Sequence, residues 1–461
     1  MSEDTTVPTT APTEVPSRTA ILIAAFDSQL KWADTIRRAL HDRGFGCQVM
    51  VPSDIRHAIS DTQLADFGGS SVRYLPWAEL IQHSFEVDAV VLAIQGPQVS
   101  RFNHELFDAV AATGKRPPVM ISGWVGVIIE KITAGYLERY ATDIVAVNSR
   151  SDLRTFQAVA NSLELPTDNL LLSGLPLLTS GYHVAPTDRP IRSVMFADQP
   201  TVPSSEQDRL YLYERLIDYA VAHPDRSVVL KPRHRIGEDT FHKMKFHPEM
   251  LLKGIEFPAN FSIDYTPISQ RLADLDLMLT VSSTAALEAV GAGVRTAFIA
   301  DLDVREQLGN HIFLDSGLLR TFDQVQRDEV GTPAADWIDD YFFGSSDRSP
   351  AEQIAVRAQE LTENPERTAP AAWQTPFFAS QHKLFEYRRN ARGTASPVVT
   401  GWAARARPVA EWVLPYGVQV RLRRTLKHTR RRQASGSASS NPAPPSGNPT
   451  SPSSNSRSTV H

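Results

Sequence analysis

Short apolar runs, each of strand length and each followed by a helix-length segment, recur through most of this chain. The first, Thr19 to Asp27 (TAILIAAFD), leads into a helix-like stretch from Gln29 to His41 and a second apolar run from Gly46 to Val51. Further strand candidates are Asp88 to Ile94, Pro118 to Ser122 and Asp143 to Val147, separated by segments such as Phe102 to Ala112 and Ser151 to Ser162. Near-continuous apolar strands alternating with helices predict a parallel sheet wound on both faces. The pattern lapses between Ser173 and Pro190, where Gly and Pro accumulate, and then restarts. Strands are expected at 193–197, 227–230, 276–281 and 296–299, with helices at 206–222 and 284–290. An α/β chain of two tandem Rossmann-like domains facing across a cleft, with disordered termini, follows.

A length of 461 residues allows two cores of this kind. The expected organisation is a disordered leader at 1–18, a first Rossmann-like domain at 19–180 and a second at 181–370. A closing helix at 371–400, a basic amphipathic segment at 401–432 and a disordered tail at 433–461 complete it. The leader is Pro/Thr-rich and lacks the apolar core of a signal peptide. No run of about 18 apolar residues suits a membrane-spanning helix. The single cysteine, Cys47, excludes an intrachain disulfide and a Cys-based zinc site, and fits a reducing cytoplasm.

Charge is unevenly placed. Gly401 to His461 holds ten Lys/Arg and one acid, a net of +9, so with −5 for the whole chain the first 400 residues carry −14. An acidic body argues against a specific nucleic-acid partner. The basic segment 401–432 interleaves Trp402, Trp412, Leu414 and Tyr416 with its cations. Such a segment suits an anionic membrane surface, hence a peripheral position on the inner face of the membrane; a solvated basic tail is the simpler alternative.

The richest stretch for chemistry is Asp276 to Gly293, DLMLTVSSTAALEAVGAG, a buried strand running into Ser282, Ser283 and Thr284 ahead of a small-residue helix. Free amides at a helix start attract phosphate and the hydroxyls add donors, although Ser and Thr also serve there as plain caps. Val228 to Arg235, VVLKPRHR, ends another strand in Lys231, Arg233, His234 and Arg235. Lys231 and Arg233 are expected to grip a diphosphate from the other side, and His234 to assist the leaving group or hold local structure. Glu288, one turn beyond Thr284, is a candidate for ribose hydroxyls. In the first half, Asp27 stands at a strand end as either general base or helix N-cap. Gly123, Trp124 and Gly126 of the SGWVG loop, with Gln95 in a similar strand-end loop, are expected to line the same cleft. No metal is expected: the acid-x-acid pairs Asp274/Asp276 and Asp301/Asp303 read better as hydrogen-bonding or loop groups than as cation ligands.

The two halves, the KPRH strand end and the SSTAALEAVGAG turn together resemble the GT-B glycosyltransferase superfamily over roughly residues 19 to 390. Within it the chain looks closest to an actinobacterial group classed as glycosyltransferases, and more distantly similar to CDP-glycerol glycerophosphotransferases and capsule-polysaccharide transferases. The resemblance implies a metal-independent glycosyltransferase, with a nucleotide-sugar as donor substrate, no cofactor, and a glycan or lipid-linked acceptor in cell-envelope synthesis. It also implies that Lys231, Arg233, His234, Ser282, Ser283 and Thr284 lie on the donor side, and Asp27 and the SGWVG loop on the acceptor or catalytic side. The order Lys-Pro-Arg-His departs from the tighter His-Pro element of the polyol-phosphate transferases. Alternatives of the same architecture are a non-catalytic nucleotide-sugar or glycan-binding protein, a polyol-phosphate transferase and a sugar-nucleotide epimerase. The His-x-x-Glu-Ala-Gly-x-Arg element of the epimerases does not follow a first-half strand.

Overall fold

The computed structural model describes residues 18–55, 57, 59, 72–175, 178, 189–238, 244–342 and 348–394. Residues 1–17 of the expected leader, the basic segment 401–432 and the tail 433–461 lie outside them; Arg18, assigned to the leader, opens the first strand. The chain divides into Met1–Glu386, which carries both sheets, and Tyr387–His461, of which only the end of one helix is described.

Among the described residues, seven strands form the first sheet, in the order β3-β2-β1-β4-β5-β6-β7. They are β1 (Arg18–Ala24), β2 (Phe45–Pro52), β3 (Val72–Leu75), β4 (Ala89–Ala93), β5 (Val119–Ser122), β6 (Ile144–Val147) and β7 (Leu170–Leu172). Six more form the second, in the order β10-β9-β8-β11-β12-β13: β8 (Ser193–Ala197), β9 (Ser227–Lys231), β10 (Phe261–Ile263), β11 (Leu277–Thr280), β12 (Arg295–Ile299) and β13 (Leu319–Arg320). Every pairing is parallel. The central strands β4, β5, β6 and β11 are buried along their whole length, which explains why they read as unbroken apolar runs. The two-sheet α/β architecture is the one the alternating pattern predicts.

Strand order reverses between β1 and β4 in the first sheet and between β8 and β11 in the second. At such a reversal the connecting loops part to opposite faces and leave a crevice at the carboxyl ends of the strands. The helices include α1 (Asp27–His41), α2 (Gly96–Thr113), α3 (Arg150–Ser162), α4 (Glu206–Ala222) and α5 (Ala285–Gly291), followed by α6 (Ala335–Tyr341), α7 (Pro350–Glu363) and α8 (Pro376–Thr394).

The last helices turn back on the first sheet. Ala351, Ile354, Ala355 and Ala358 of α7 join Leu30, Ala33 and Ile36 of α1 in one apolar cluster, and Trp373 and Phe378 enter the core on the sheet's other face. The return therefore begins at α7, ahead of the expected closing helix. Arg367 fixes it: its guanidinium donates to both carboxylate oxygens of Asp143, at 2.7 and 2.8 Å, and to the carbonyls of Pro117 and Pro118. A second link joins α3 to α6, where the Ser151 amide donates to Asp340 Oδ1 at 2.7 Å and Arg150 Nε to the Asp339 carbonyl at 3.0 Å.

Beside that link Asp152 is nearly buried and its Oδ2 has no hydrogen-bond partner. Burial pushes its carboxyl up to about 6; a hydrogen bond from Ser149 pulls the other way, and the charge of Asp340 adds to the rise. A carboxyl raised in the folded state favours folding below its unfolded value near 4 and loses that contribution as pH climbs through about 6. Asp152→Asn is therefore expected to raise the melting temperature at pH 7.5 by a few degrees, corresponding to at most about 3 kcal/mol. Near pH 4 the gain should vanish; a gain that persists there on thermal scans would contradict the assignment.

Candidate functional site

β1 and β9 end on opposite sides of one crevice, each delivering a charged side chain. β1 runs through Ala25 and Phe26 into α1, and the buried Gln29 Oε1 accepts from the Ala25 amide at 3.1 Å, which fixes this turn. The residue flanking α1 as its cap is Phe26, so Asp27 is the first helical residue and not the N-cap. β9 ends at Lys231, 8% exposed, whose Nζ donates to the Pro232 carbonyl at 3.2 Å. Burial lowers the Lys231 pKa; the charge of Asp264 opposes this, while Arg233 and Arg271 reinforce it.

Arg233, two residues beyond the end of β9, is an exposed side chain. Loss of water depresses its pKa and the Asp27 carboxylate of the other half raises it. A second acid–base pair spans the halves: Glu288 on α5 is raised by burial and lowered by the charge of Lys31 on α1. The glycines show how close the walls are. A Cβ built on Gly126 would lie 3.3 Å from the Thr284 methyl, and one on Gly309 3.2 Å from Ile129. Asp27, Arg233, Gly126, Thr284 and Glu288 are thus brought to one crevice.

The remaining candidates divide. His234 is 8% exposed; its Nδ1 lies 3.0 Å from the Arg235 carbonyl and therefore carries the proton, while the buried Nε2 has no partner among the described residues. Its carbonyl accepts from His247 Nε2 at 3.0 Å. Ser282 is scaffold: its amide donates to Gln199 Oε1 at 2.9 Å and its hydroxyl to the Leu308 carbonyl at 2.6 Å. The Ser283 amide donates to Thr280 Oγ1 at 3.2 Å, and its hydroxyl accepts from the Ala285 amide at 3.3 Å. Two amides expected to face a phosphate are therefore already engaged, and α5 is only seven residues long. Half-buried Ser283 and Thr284 keep side-chain oxygens near the crevice.

Trp124 turns inward, stacked on Phe156 at 5.0 Å with the Arg139 guanidinium 4.5 Å from its ring. A Cβ on Gly123 would strike Trp32 and Ala146 at 2.9 Å, so packing alone requires that glycine. Gln95 closes the start of α2, its amide donating to Gln98 Oε1 at 3.3 Å. Asp276 lies at the amino end of β11, where it accepts from the Arg192 and Ser193 amides and pairs with Arg189. Asp301 accepts from Tyr211 and the Phe322 amide.

Sequence reasoning missed the group beneath the Ser282 turn. Asp198 and Arg209, both with side chains 1% exposed, form a pair in which Arg209 Nη1 donates to both carboxylate oxygens, at 3.1 and 3.2 Å, and the Tyr213 hydroxyl donates to Asp198 at 2.6 Å. Arg209 also donates to the Gln199 carbonyl at 2.5 Å, so the pair holds the residue that holds Ser282. Asp198 follows the apolar run SVMFA as Asp27 follows its own, a strand-end acid that the sequence did display.

Residues 20–361 match the model of a family described as "Putative glycosyltransferase (DUF6716)". The chain belongs to this family. The matched span takes in both sheets and every crevice residue named above. No curated protein matches the sequence. Solved structures similar to this chain include one titled a putative UDP-N-acetylglucosamine 2-epimerase from Listeria monocytogenes (13% identity, TM-score 0.43, 82% of this chain and 98% of that one). Others are UGT89C1 of Arabidopsis thaliana complexed with UDP (12%, 0.42, 79% and 99%) and CalG4, the calicheamicin glycosyltransferase (13%, 0.40, 82% and 99%). No helix among the described residues is long and apolar enough to cross a membrane.

Removing one member of a buried ion pair strands the other. Arg209→Met is expected to cost on the order of 3–5 kcal/mol and Tyr213→Phe about 1–3 kcal/mol. Urea-induced unfolding of both variants checks the order, and an Arg209→Met midpoint equal to wild type would contradict the assigned role.

Proposed function

We propose that this family member is a metal-independent glycosyltransferase that moves a sugar from a nucleotide-activated donor to an acceptor hydroxyl. The observation that carries the reading is the approach of Asp27 and Arg233, from opposite sheets, at the carboxyl ends of β1 and β9. Parallel sheets collect ligands at such ends. A nucleoside diphosphate suits the cationic wall, with Lys231 and Arg233 taking phosphate oxygens and the Ser283 and Thr284 hydroxyls completing the seat. Glu288, which feels the charge of Lys31, is the proposed acceptor for ribose hydroxyls.

The charge balance suggests an order of events. Before donor binds, the charges of Arg233 and Asp27 attract one another. A diphosphate offers Arg233 a stronger partner, leaving the Asp27 carboxylate to accept a proton from the acceptor hydroxyl as its oxygen attacks the anomeric carbon. The bond to the leaving phosphate breaks, and its new charge falls on Lys231 and Arg233, which need no rearrangement to meet it. His234, with a bare buried Nε2, is a second candidate for steering the proton. The acceptor is proposed to be a glycan or lipid-linked molecule of the cell envelope, brought to the protein by residues 401–432 on an anionic membrane surface. A non-catalytic sugar-nucleotide binder of the same fold is a second reading, and Asp27 separates the two.

With a nucleotide-sugar that the protein turns over, Asp27→Asn is expected to lower kcat by 10²- to 10⁴-fold while donor affinity stays within a few-fold. Donor binding without turnover in either protein would support the binder, and undiminished kcat in Asp27→Asn would remove Asp27 from the chemistry.

A further inference from the structure

We infer that α2 and α8 hold a site for one divalent first-row transition cation, of which Zn²⁺ is the representative, ligated by Asp108, His382 and Glu386. Far from the β1 and β9 strand ends in sequence, these residues belong to two helices packed on the first sheet. His104 and Asp108 are four residues apart on α2, and His382 and Glu386 four apart on α8. One-turn spacing puts each pair on a single helix face.

Where the faces meet, one ligand atom from each of Asp108, His382 and Glu386 lies within 4.8 Å of the other two. His382 Nε2 and Asp108 Oδ1 are 3.0 Å apart. Around an ion with bonds near 2.0–2.1 Å, tetrahedral ligand atoms stand roughly 3.3 Å from one another, so modest rotation of the half-buried Glu386 closes the set. Two carboxylates balance the charge of a divalent ion, and one imidazole with two oxygens suits zinc-class metals. A fourth position is left for water.

The imidazole is held for this purpose. His382 Nδ1 lies 3.3 Å from His104 Nδ1, a contact that requires one ring to donate and the other to accept. When His382 donates, its Nε2 lone pair is turned toward Asp108 and Glu386, where a cation can be shared by all three ligand atoms. His104 is itself fixed, stacked on Phe378 at 5.1 Å and on Phe385 at 4.9 Å, while Phe107 stands 4.8 Å from His382. This aromatic shell shields the imidazole side and leaves the carboxylate side half-open, so an ion has a way in. His104 is thus a positioning residue, and the three ligands staple α8 to α2.

The test uses the full-length, untagged chain, stripped with a chelator and dialysed. Calorimetric titration with ZnCl₂ is expected to give one site per chain with micromolar affinity or tighter, and a melting temperature raised by several degrees. Co²⁺ in place of Zn²⁺ should bring visible d–d absorption. Glu386→Gln is expected to weaken binding at least tenfold, His382→Ala to abolish it, and His104→Ala to weaken it 10- to 100-fold. Should His382→Ala fail to fold, Glu386→Gln and Asp108→Asn decide alone, their far-UV circular dichroism being compared with wild type. Absence of saturable binding, or equal binding in wild type and Glu386→Gln, would overturn the proposal and leave His382 and Asp108 as a histidine–carboxylate contact only.

Discussion

Parallel strands cannot be joined by tight turns, and this constraint orders the whole molecule. Each strand must be followed by a crossover before the next can begin, so every loop that leaves a carboxyl end emerges on the same edge of its sheet. Both sheets obey the rule without exception among the described strands. The chemistry-bearing residues collect there as a result: Asp27 after β1, Asp198 and Gln199 after β8, Lys231 and Arg233 after β9, and the Ser282 turn after β11. None of these groups is near another in sequence, apart from immediate neighbours. They meet because the strand order reverses at β1/β4 and again at β8/β11.

The crevice is polarised. Its C-terminal wall carries Lys231 and Arg233, and its N-terminal wall answers with Asp27, while Lys31 and Glu288 repeat the contrast with the signs exchanged. Opposed charges at this seam attract one another across the crevice. Beneath the seam the Asp198–Arg209–Tyr213 group fixes Gln199 and through it Ser282. The charges across the seam thus stand on a hydrogen-bonded, buried support.

Much of this was legible in the chain. The expected strand at 193–197 and helix at 206–222 coincide with β8 and α4, because fully apolar cores and a Ser205 cap mark their limits. The strands that escaped notice, β3, β7, β10 and β13, are two to four residues long and lie toward sheet edges, where partial exposure erases the apolar run. At the site, strand-end position alone found Asp27, Lys231 and Arg233. It could not tell that the Ser282 hydroxyl is spent on Leu308, since that partner lies 26 residues away. Nor could it find Lys31, whose meaning depends on Glu288 across the crevice. The α2–α8 cluster was invisible for the same reason: two ordinary i, i+4 pairs separated by more than 270 residues become a constellation only when the late helices return to the first sheet.

The central claim is that the wall formed by Lys231 and Arg233 receives the diphosphate of a nucleotide donor. Isothermal titration of the intact protein with a panel of nucleoside diphosphates, alongside Arg233→Ala, tests it most directly. The account predicts that at least one diphosphate binds one-to-one, that its monophosphate binds more weakly, and that Arg233→Ala costs 10- to 100-fold in affinity, corresponding to about 1.4–2.8 kcal/mol. Equal affinity in wild type and Arg233→Ala, or no binding by any diphosphate, would contradict it.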